Sequence, residues 1–243
     1  MPHPSPRVGV IVPAAGDGRR LGLQRAKALV GLGEQPLLAW ALIGVEANQC
    51  VECVVVVTHP ATIDAVRELI AARGFTKVTA VVPGGPTRRA SVAAGLAALP
   101  AGPTYLAVHD ACRPLLAAGA IDRLLDALRG MEGRYGIAPG APVTDTVRRV
   151  AAGECSGGIV DREVLRAIQT PQLYLRAALE DAHRRAAAGD VAAEADDAVL
   201  AERAGYPIAV VPGEPENLKI TTPVDLLAAE ALLARAAPGG APW

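Results

Sequence analysis

Aromatic side chains are scarce in this chain, with one Phe, two Trp and four Tyr in 243 residues. Hydrophobic residues still make up 51% of it, so the interior has to be packed from Ala, Val and Leu. An excess of charge of one sign is also lacking: 24 basic residues face 25 acidic ones, for a net charge of −1. Such a balance gives no global field favouring nucleic acid or an anionic membrane, so any anion site must be local. No apolar run reaches the ~18 residues of a membrane span, and the opening MPHPSPR has no apolar stretch of the secretory-signal kind. The expectation is a soluble, cytoplasmic protein.

Cysteine is sparse as well, limited to Cys50, Cys53, Cys112 and Cys155. Cys50 and Cys53 form a lone C-x-x-C, with neither a second pair nor flanking histidines. Cys53 therefore reads as a small core residue of the run CVVVVT, not as part of a zinc or redox centre. Lysine is rarer still among the basic residues: only Lys27, Lys77 and Lys219. Where a chain otherwise uses arginine, a compact point charge in place of a planar fork marks a position to inspect.

What is present is a regular alternation. VGVIV (8–12), CVVVVT (53–58), VTAVV (78–82) and YLAVHD (105–110) read as buried strands. LLAWALIGVEA (37–47), the stretch from Ile63 to Arg73, RASVAAGLAAL (89–99) and AIDRLLDALRG (120–130) have helical spacing. This rhythm specifies an α/β fold, a mostly parallel sheet sandwiched by helices, with its site at the carboxyl ends of the strands. The chain is long enough to bury a core without staples, and it reads as a single domain over 1–243. Between about Tyr135 and Thr170 the rhythm gives way to a strand and a small hairpin with a Gly-rich turn. This is a projecting arm at about 139–168, too short to be a domain. Helices are predicted again at 172–188 and 196–204, then a strand IAVVP (208–212), a short strand NLKIT and a last helix 223–235. The tail APGGAPW is expected to be disordered.

After the first strand comes IVPAAGDGRRLGLQRAKALVGLG (11–33). Gly16 and Gly18 fit a dinucleotide fingerprint, but the third glycine arrives one residue late, at Gly22. No acidic residue ends the second strand, as a ribose would require. The P-loop pattern is absent too. What remains is a loop of flexible backbone amides with Arg19, Arg20, Arg25 and Lys27. That charge suits a nucleoside triphosphate better than a dinucleotide. Arg19 and Arg25 read as solvated loop charges, Lys27 as functional. Asp110 ends a strand, where a carboxylate can hold Mg²⁺ between phosphates or cap the next turn. His109, on the other side of that strand, reads as a structural histidine, and Arg113 as a buttress of Asp110.

The runs PAAGDGRRLG and KALVGLGEQPLLAWAL look like the signature loop of the sugar-phosphate nucleotidyltransferases. GGPTRRASVAAGL, VHDACRP, PVTDTVRR, VDREVLRAIQTPQ and NLKITTPVDL follow in that order. Together, over roughly residues 8 to 232, they resemble the 2-C-methyl-D-erythritol 4-phosphate cytidylyltransferase family of the non-mevalonate isoprenoid pathway. The resemblance implies a Rossmann-like nucleotidyltransferase fold and two small-molecule substrates, CTP and a polyol phosphate. It also implies a Mg²⁺ cofactor at Asp110 and a homodimer formed through the arm.

Residue by residue, the resemblance assigns Arg20, Lys27, Arg162 and Lys219 to catalysis. It places Pro13, Ala14, Ala15, Gly16, Gly84, Gly85, Ser91, Asp110, Ala111, Arg113, Thr146 and Thr170 at the substrates. Gly84, Gly85 and Ser91 would contact the cytosine base; locally, Ser91 could simply cap a helix. Thr146 and Arg162 would reach from the arm into a partner's site, although Arg162 could equally be a surface ion pair. Lys219 would lie beside the phosphates, and Thr170 could be only a cap. The family often has an acidic residue after the glycine pair. Here Pro86 offers neither an acceptor side chain nor an N–H, so base recognition there must use a backbone carbonyl or another residue. Asp196 and Asp197 are expected to cap a helix near the substrate mouth. A ribitol 5-phosphate cytidylyltransferase is the nearest alternative. A nicotinamide dehydrogenase and a non-catalytic nucleotide-binding regulator fit the motifs less well.

Overall fold

The computed structural model describes residues 7–18, 26–151, 154–189 and 196–236. Arg19, Arg20, Gly22, Arg25 and the tail from residue 237 lie outside the described residues. β1 (Val8–Pro13) is followed by a short hairpin, β2 (Gly31–Leu32) and β3 (Gln35–Pro36). Next come α1 (Leu37–Glu46), β4 (Val51–Thr58), α2 (Ile63–Arg73), β5 (Val78–Pro83), α3 (Arg88–Ala98) and β6 (Tyr105–Val108). After these stand α4 (Ala120–Arg129), β7 (Gly136–Pro142), β8 (Val147–Ala151), β9 (Glu154–Val160), β10 (Arg166–Ile168) and β11 (Gln172–Leu175). α5 (Arg176–Ala188), α6 (Asp197–Arg203), β12 (Ile208–Pro212) and α7 (Pro223–Ala236) complete the order.

Eight strands form the main sheet in the order β10-β7-β11-β6-β1-β4-β5, with β12 paired to β7. β1 runs parallel to both β4 and β6, and β4 to β5. β11 is antiparallel to β6 and β7, and β10 to β7, so the sheet is mixed on that side. Side chains alternate across the parallel strands, as period-two geometry requires. Val8, Val10 and Val12 of β1 and Val54 and Val56 of β4 pack under Leu38, Leu42, Val66, Ile121 and Leu125. Ile11, Cys53, Val55 and Val57 face the other way, toward Val92, Leu179 and Leu200. Valine serves both faces because both are covered by helices.

Glycine replaces bulk where a helix must come close. A Cβ on Gly95 would lie 2.5 Å from Ile11 Cγ2 and 3.0 Å from Val57 Cγ2, so α3 sits directly on the sheet. Lys77 serves the framework. Its Nζ donates to the carbonyls of Glu46 (2.9 Å) and Asn48 (2.7 Å), satisfying groups that the end of α1 leaves open.

Three expectations are corrected. Residues 172–175 are a strand and not the start of a helix, because the facing edges of β6 and β7 pair with QLYL before α5 begins. NLKIT is not a strand. It is pinned instead by single contacts, with Asn217 and Ile220 buried and Ile220 N donating to Cys112 O at 2.8 Å. The strand at 105–110 stops at Val108, leaving His109 and Asp110 beyond its end. The hairpin in the arm is the separate antiparallel pair β8–β9. The flanking residues 140–142 and 166–168 pair with each other in the main sheet. Cys50, Cys53 and Cys112 are free thiols, and Cys53 is a core residue as its run predicts.

Candidate active site

The carboxyl ends of β1, β4, β5 and β6 are tied to one another by backbone bonds. Ala14 N donates to Val57 O at 2.6 Å, Gly84 N to Thr58 O at 2.7 Å and His109 N to Ile11 O at 2.9 Å. Ala111 N donates to Pro13 O at 3.3 Å, so the loops after β1 and β6 are neighbours. Lys27 N donates to Gly16 O at 3.1 Å and closes the glycine loop on itself. A Cβ on Gly84 would lie 2.8 Å from both Ala15 Cβ and Ser91 Oγ, and one on Gly85 would lie 2.5 Å from Ala90 Cβ. Both glycines are thus required by close approach. Ser91 is buried, accepts from Gly85 N (3.2 Å) and donates to Thr87 O (3.0 Å). The cap of α3 is Thr87, not Ser91.

Asp110 stands at the centre. Its Oδ2 accepts from Lys219 Nζ at 2.7 Å and its Oδ1 from Arg88 Nε at 3.3 Å, while its backbone N donates to Thr170 Oγ1 at 3.0 Å. Burial by itself would raise this carboxyl. The Arg88 and Lys219 charges overturn that effect and hold it well below the usual carboxylate range. Cys112 reports the same convergence: burial pushes its thiol up, and its surroundings include Asp110, Lys27, Lys219 and Arg113.

His109 is fully buried. Its Nε2 faces Arg113 O at 3.0 Å, and a carbonyl can only accept, so Nε2 carries the proton. Nδ1 then accepts from the Thr170 hydroxyl at 3.3 Å. Burial pulls its pKa down to about 4, so the ring is neutral near pH 7. A structural histidine is what the sequence predicts. Thr170 is not a helix cap; it is the buried post that holds Asp110 N and His109 together. Arg113 does not touch the Asp110 carboxylate. Its Nη1 donates to Asn217 O at 2.7 Å and its Nη2 to Ile168 O at 3.2 Å, fastening the Lys219 segment to β10.

Asp196 caps α6 as expected, accepting from Val199 N at 2.9 Å. Asp197 does something else: fully buried, it accepts from Arg88 Nη1 at 2.7 Å and from His183 Nε2 at 2.9 Å. Arg88, His183 and Asn217 are not singled out by the sequence. Arg88 stands inside the GGPTRRAS motif, but nothing in the pattern separates it from Arg89, whose Nη1 reaches Ala186 O at 3.2 Å.

Arg162 and Thr146 are exposed, and Arg162 Nη1 donates to Thr144 O at 2.5 Å. Among the described residues no hydrogen bond joins either of them to Asp110 or Lys219. Nor do the described residues hold a cluster of three or more His, Cys, Asp or Glu able to cage a metal. Asp110 alone fits a different kind of site. An ionised carboxylate has about four lone-pair positions, and a hard cation such as Mg²⁺ commonly takes one or two carboxylates plus substrate phosphates.

A profile of the IspD family, 2-C-methyl-D-erythritol 4-phosphate cytidylyltransferase, matches residues 8–235. The chain is 41% identical over 94% of its length to a Streptomyces coelicolor protein of that name, covering 86% of the latter. It is 44% identical to one from Nocardia farcinica, covering 95% of each. Among solved structures, the 2-C-methyl-D-erythritol 4-phosphate cytidylyltransferase of Thermus thermophilus superposes with a TM-score of 0.74. That match is 34% identical over 93% of this chain and 98% of the other. The sequence profile, the curated relatives and the fold agree, and the chain belongs to the 2-C-methyl-D-erythritol 4-phosphate cytidylyltransferase family.

Proposed function

We propose that this protein joins CTP to 2-C-methyl-D-erythritol 4-phosphate, giving the CDP-alcohol and pyrophosphate for isoprenoid precursor synthesis. The observation that carries this reading is the Asp110 carboxylate. It is kept ionised between Arg88 and Lys219 at a strand end, beside the glycine loop that Lys27 closes.

The substrate's phosphate oxygen attacks the α-phosphorus of CTP in line. A phosphorus–oxygen bond forms there as the bond to the β-phosphate bridge breaks, and pyrophosphate leaves with that electron pair. The attacking phosphate, with a second pKa of ~6, is already ionised near neutral pH, so no protein base is needed. His109, neutral and turned inward, plays no part in proton transfer. Catalysis rests on positioning and charge. By the family resemblance, Lys27 and Arg20 are assigned to the charge that grows around the α-phosphorus, and Lys219 to alignment of the nucleophile. Pro13, Ala14, Ala15, Gly16 and Ala111 line the nucleotide's path, and Gly84, Gly85 and Ser91 contact the cytosine base. Asp110 would hold a divalent cation, which when bound neutralises triphosphate charge. Arg162 and Thr146 hold the polyol phosphate from the arm, acting across a homodimer. Thr170 and Arg113 keep Asp110 and the Lys219 segment in place.

Pyrophosphate release measured over a grid of nucleoside triphosphates and polyol phosphates tests the assignment. The expected maximum is CTP with 2-C-methyl-D-erythritol 4-phosphate. A maximum with ribitol 5-phosphate would move the substrate, and turnover with UTP equal to that with CTP would mean that Pro86 has relaxed base selection.

A further inference from the structure

One guanidinium joins two carboxylates that are remote in the chain. Arg88 is the first residue of α3, set there by Thr87, whose Oγ1 accepts from Ala90 N at 3.1 Å. Its Nε reaches Asp110 Oδ1 at 3.3 Å and its Nη1 reaches Asp197 Oδ2 at 2.7 Å. Asp197 opens α6, and its second oxygen meets His183 Nε2, on α5, at 2.9 Å. Asp197 and His183 are both buried. A continuous line of contacts therefore runs from α5 and α6 through α3 to the carboxylate beyond β6, and ends at Lys219.

Stability alone is a poor account of this line. Buried ion pairs are often replaceable by packed apolar groups without loss. Position is a better one. Lys219 pins only one oxygen of Asp110, and 42% of its side chain is exposed, on the side from which a phosphate could compete for it. Arg88 pins the other oxygen. A free arginine would sample many rotamers, but Asp197 grips its far nitrogen, and Asp197 is itself packed and bonded. The planar fork then delivers its donors in a fixed relation, which a lysine cannot imitate. Arg88 also gives Asp110 a counter-charge independent of Lys219, so the carboxylate would not be left buried and unpaired if Lys219 turned to a phosphate.

We propose that Arg88, seated by Asp197 and His183, is a positioning residue for the transfer reaction. It fixes the direction in which Asp110 presents its remaining lone pairs to the nucleotide's phosphates and their cation. This rests on the cytidylyltransferase reading above.

Arg88→Ala would strand Asp197 in the interior and endanger folding, so Arg88→Lys, Asp197→Asn and the double variant are the informative proteins. Three measurements apply to each: steady-state kinetics by pyrophosphate release, CTP binding by calorimetry with and without Mg²⁺, and thermal unfolding. Arg88→Lys is expected to lower kcat about 10- to 100-fold, the scale of a small misplacement, with KM for the polyol phosphate unchanged. It should also shrink by about tenfold the gain in CTP affinity that Mg²⁺ brings. Asp197→Asn should act in the same direction, and the double variant should be no slower than Arg88→Lys, because both break one line. An Arg88→Lys protein with wild-type kcat and wild-type Mg²⁺ gain, whatever its unfolding temperature, overturns the proposal. Losses that multiply in the double variant overturn the role given to Asp197. Failure of the wild type itself to release pyrophosphate would instead sink the cytidylyltransferase reading.

Discussion

Three lysines stand out in an arginine-rich chain, and only their surroundings tell them apart. Lys77 caps the end of α1, whereas Lys219 bonds Asp110 and both Lys27 and Lys219 act on Cys112 beside it. Lys27→Ala is therefore expected to reduce kcat by about 10²–10³, as for loss of a group facing developing charge, while KM for CTP changes only a few-fold. Lys77→Ala should leave kcat alone and cost about 1 kcal/mol of stability through the lost carbonyl contacts. Steady-state kinetics and denaturant titration on both proteins check this; equal effects on kcat would remove the distinction. Rarity points to all three positions without ranking them. Arg88 escapes notice for the opposite reason: it is one of two adjacent arginines in a chain full of them. Only the start of α3 at Arg88 turns that side chain, and not Arg89, to Asp110.

At the scale of elements, the strand–helix rhythm is written in the sequence because a sheet covered on both faces needs unbroken Val and Ile runs. QLYL reads as helix because its apolar spacing also suits the first turn of α5, and the open edges of β6 and β7 decide the matter. Helix-to-sheet distance is likewise set by a residue that looks incidental. Gly95→Ala places a methyl 2.5 Å from Ile11 Cγ2, and such overpacking costs typically about 1–3 kcal/mol. A lowered unfolding midpoint with normal CTP affinity in the surviving folded protein is the expected outcome; an unchanged midpoint would mean that α3 can retreat freely. The β8–β9 pair shows the reverse case, since a hairpin at this place is expected from the break in the strand–helix rhythm alone.

Two properties belong to the whole molecule. Arg162 and Thr146 are exposed, and in the proposed function they act on a partner subunit. In the proposed homodimer, mixing Lys27→Ala with Arg162→Ala protein, each poorly active alone, should restore pyrophosphate release, because one site of a mixed dimer keeps both residues. No recovery on mixing would assign the arm to its own subunit. The second property is acid stability. Burial lowers the His109 pKa from 6.5 to about 4, so the unfolded chain binds that proton first. Stability should hold at neutral pH and fall as pH drops from about 6.5 to about 4, by roughly 3 kcal/mol. Asp110, with its pKa depressed, adds further loss only below the ordinary carboxylate range. His109→Asn should flatten the first interval in denaturant midpoints taken at about pH 7, 5.5 and 4.5. A wild-type midpoint that is level down to about pH 4.5 would contradict it.

By itself the sequence determined the layered α/β architecture and pointed to the carboxylate that stands just beyond β6, because both follow from local periodicity and motif order. The tertiary structure decided what touches Asp110. Lys219 and Asp197 are 109 residues from their partners Asp110 and Arg88, and Thr170 is 60 residues from Asp110. Contacts of that span arise only when separate strand ends and helix termini are brought to one edge of the sheet, and no local pattern encodes them.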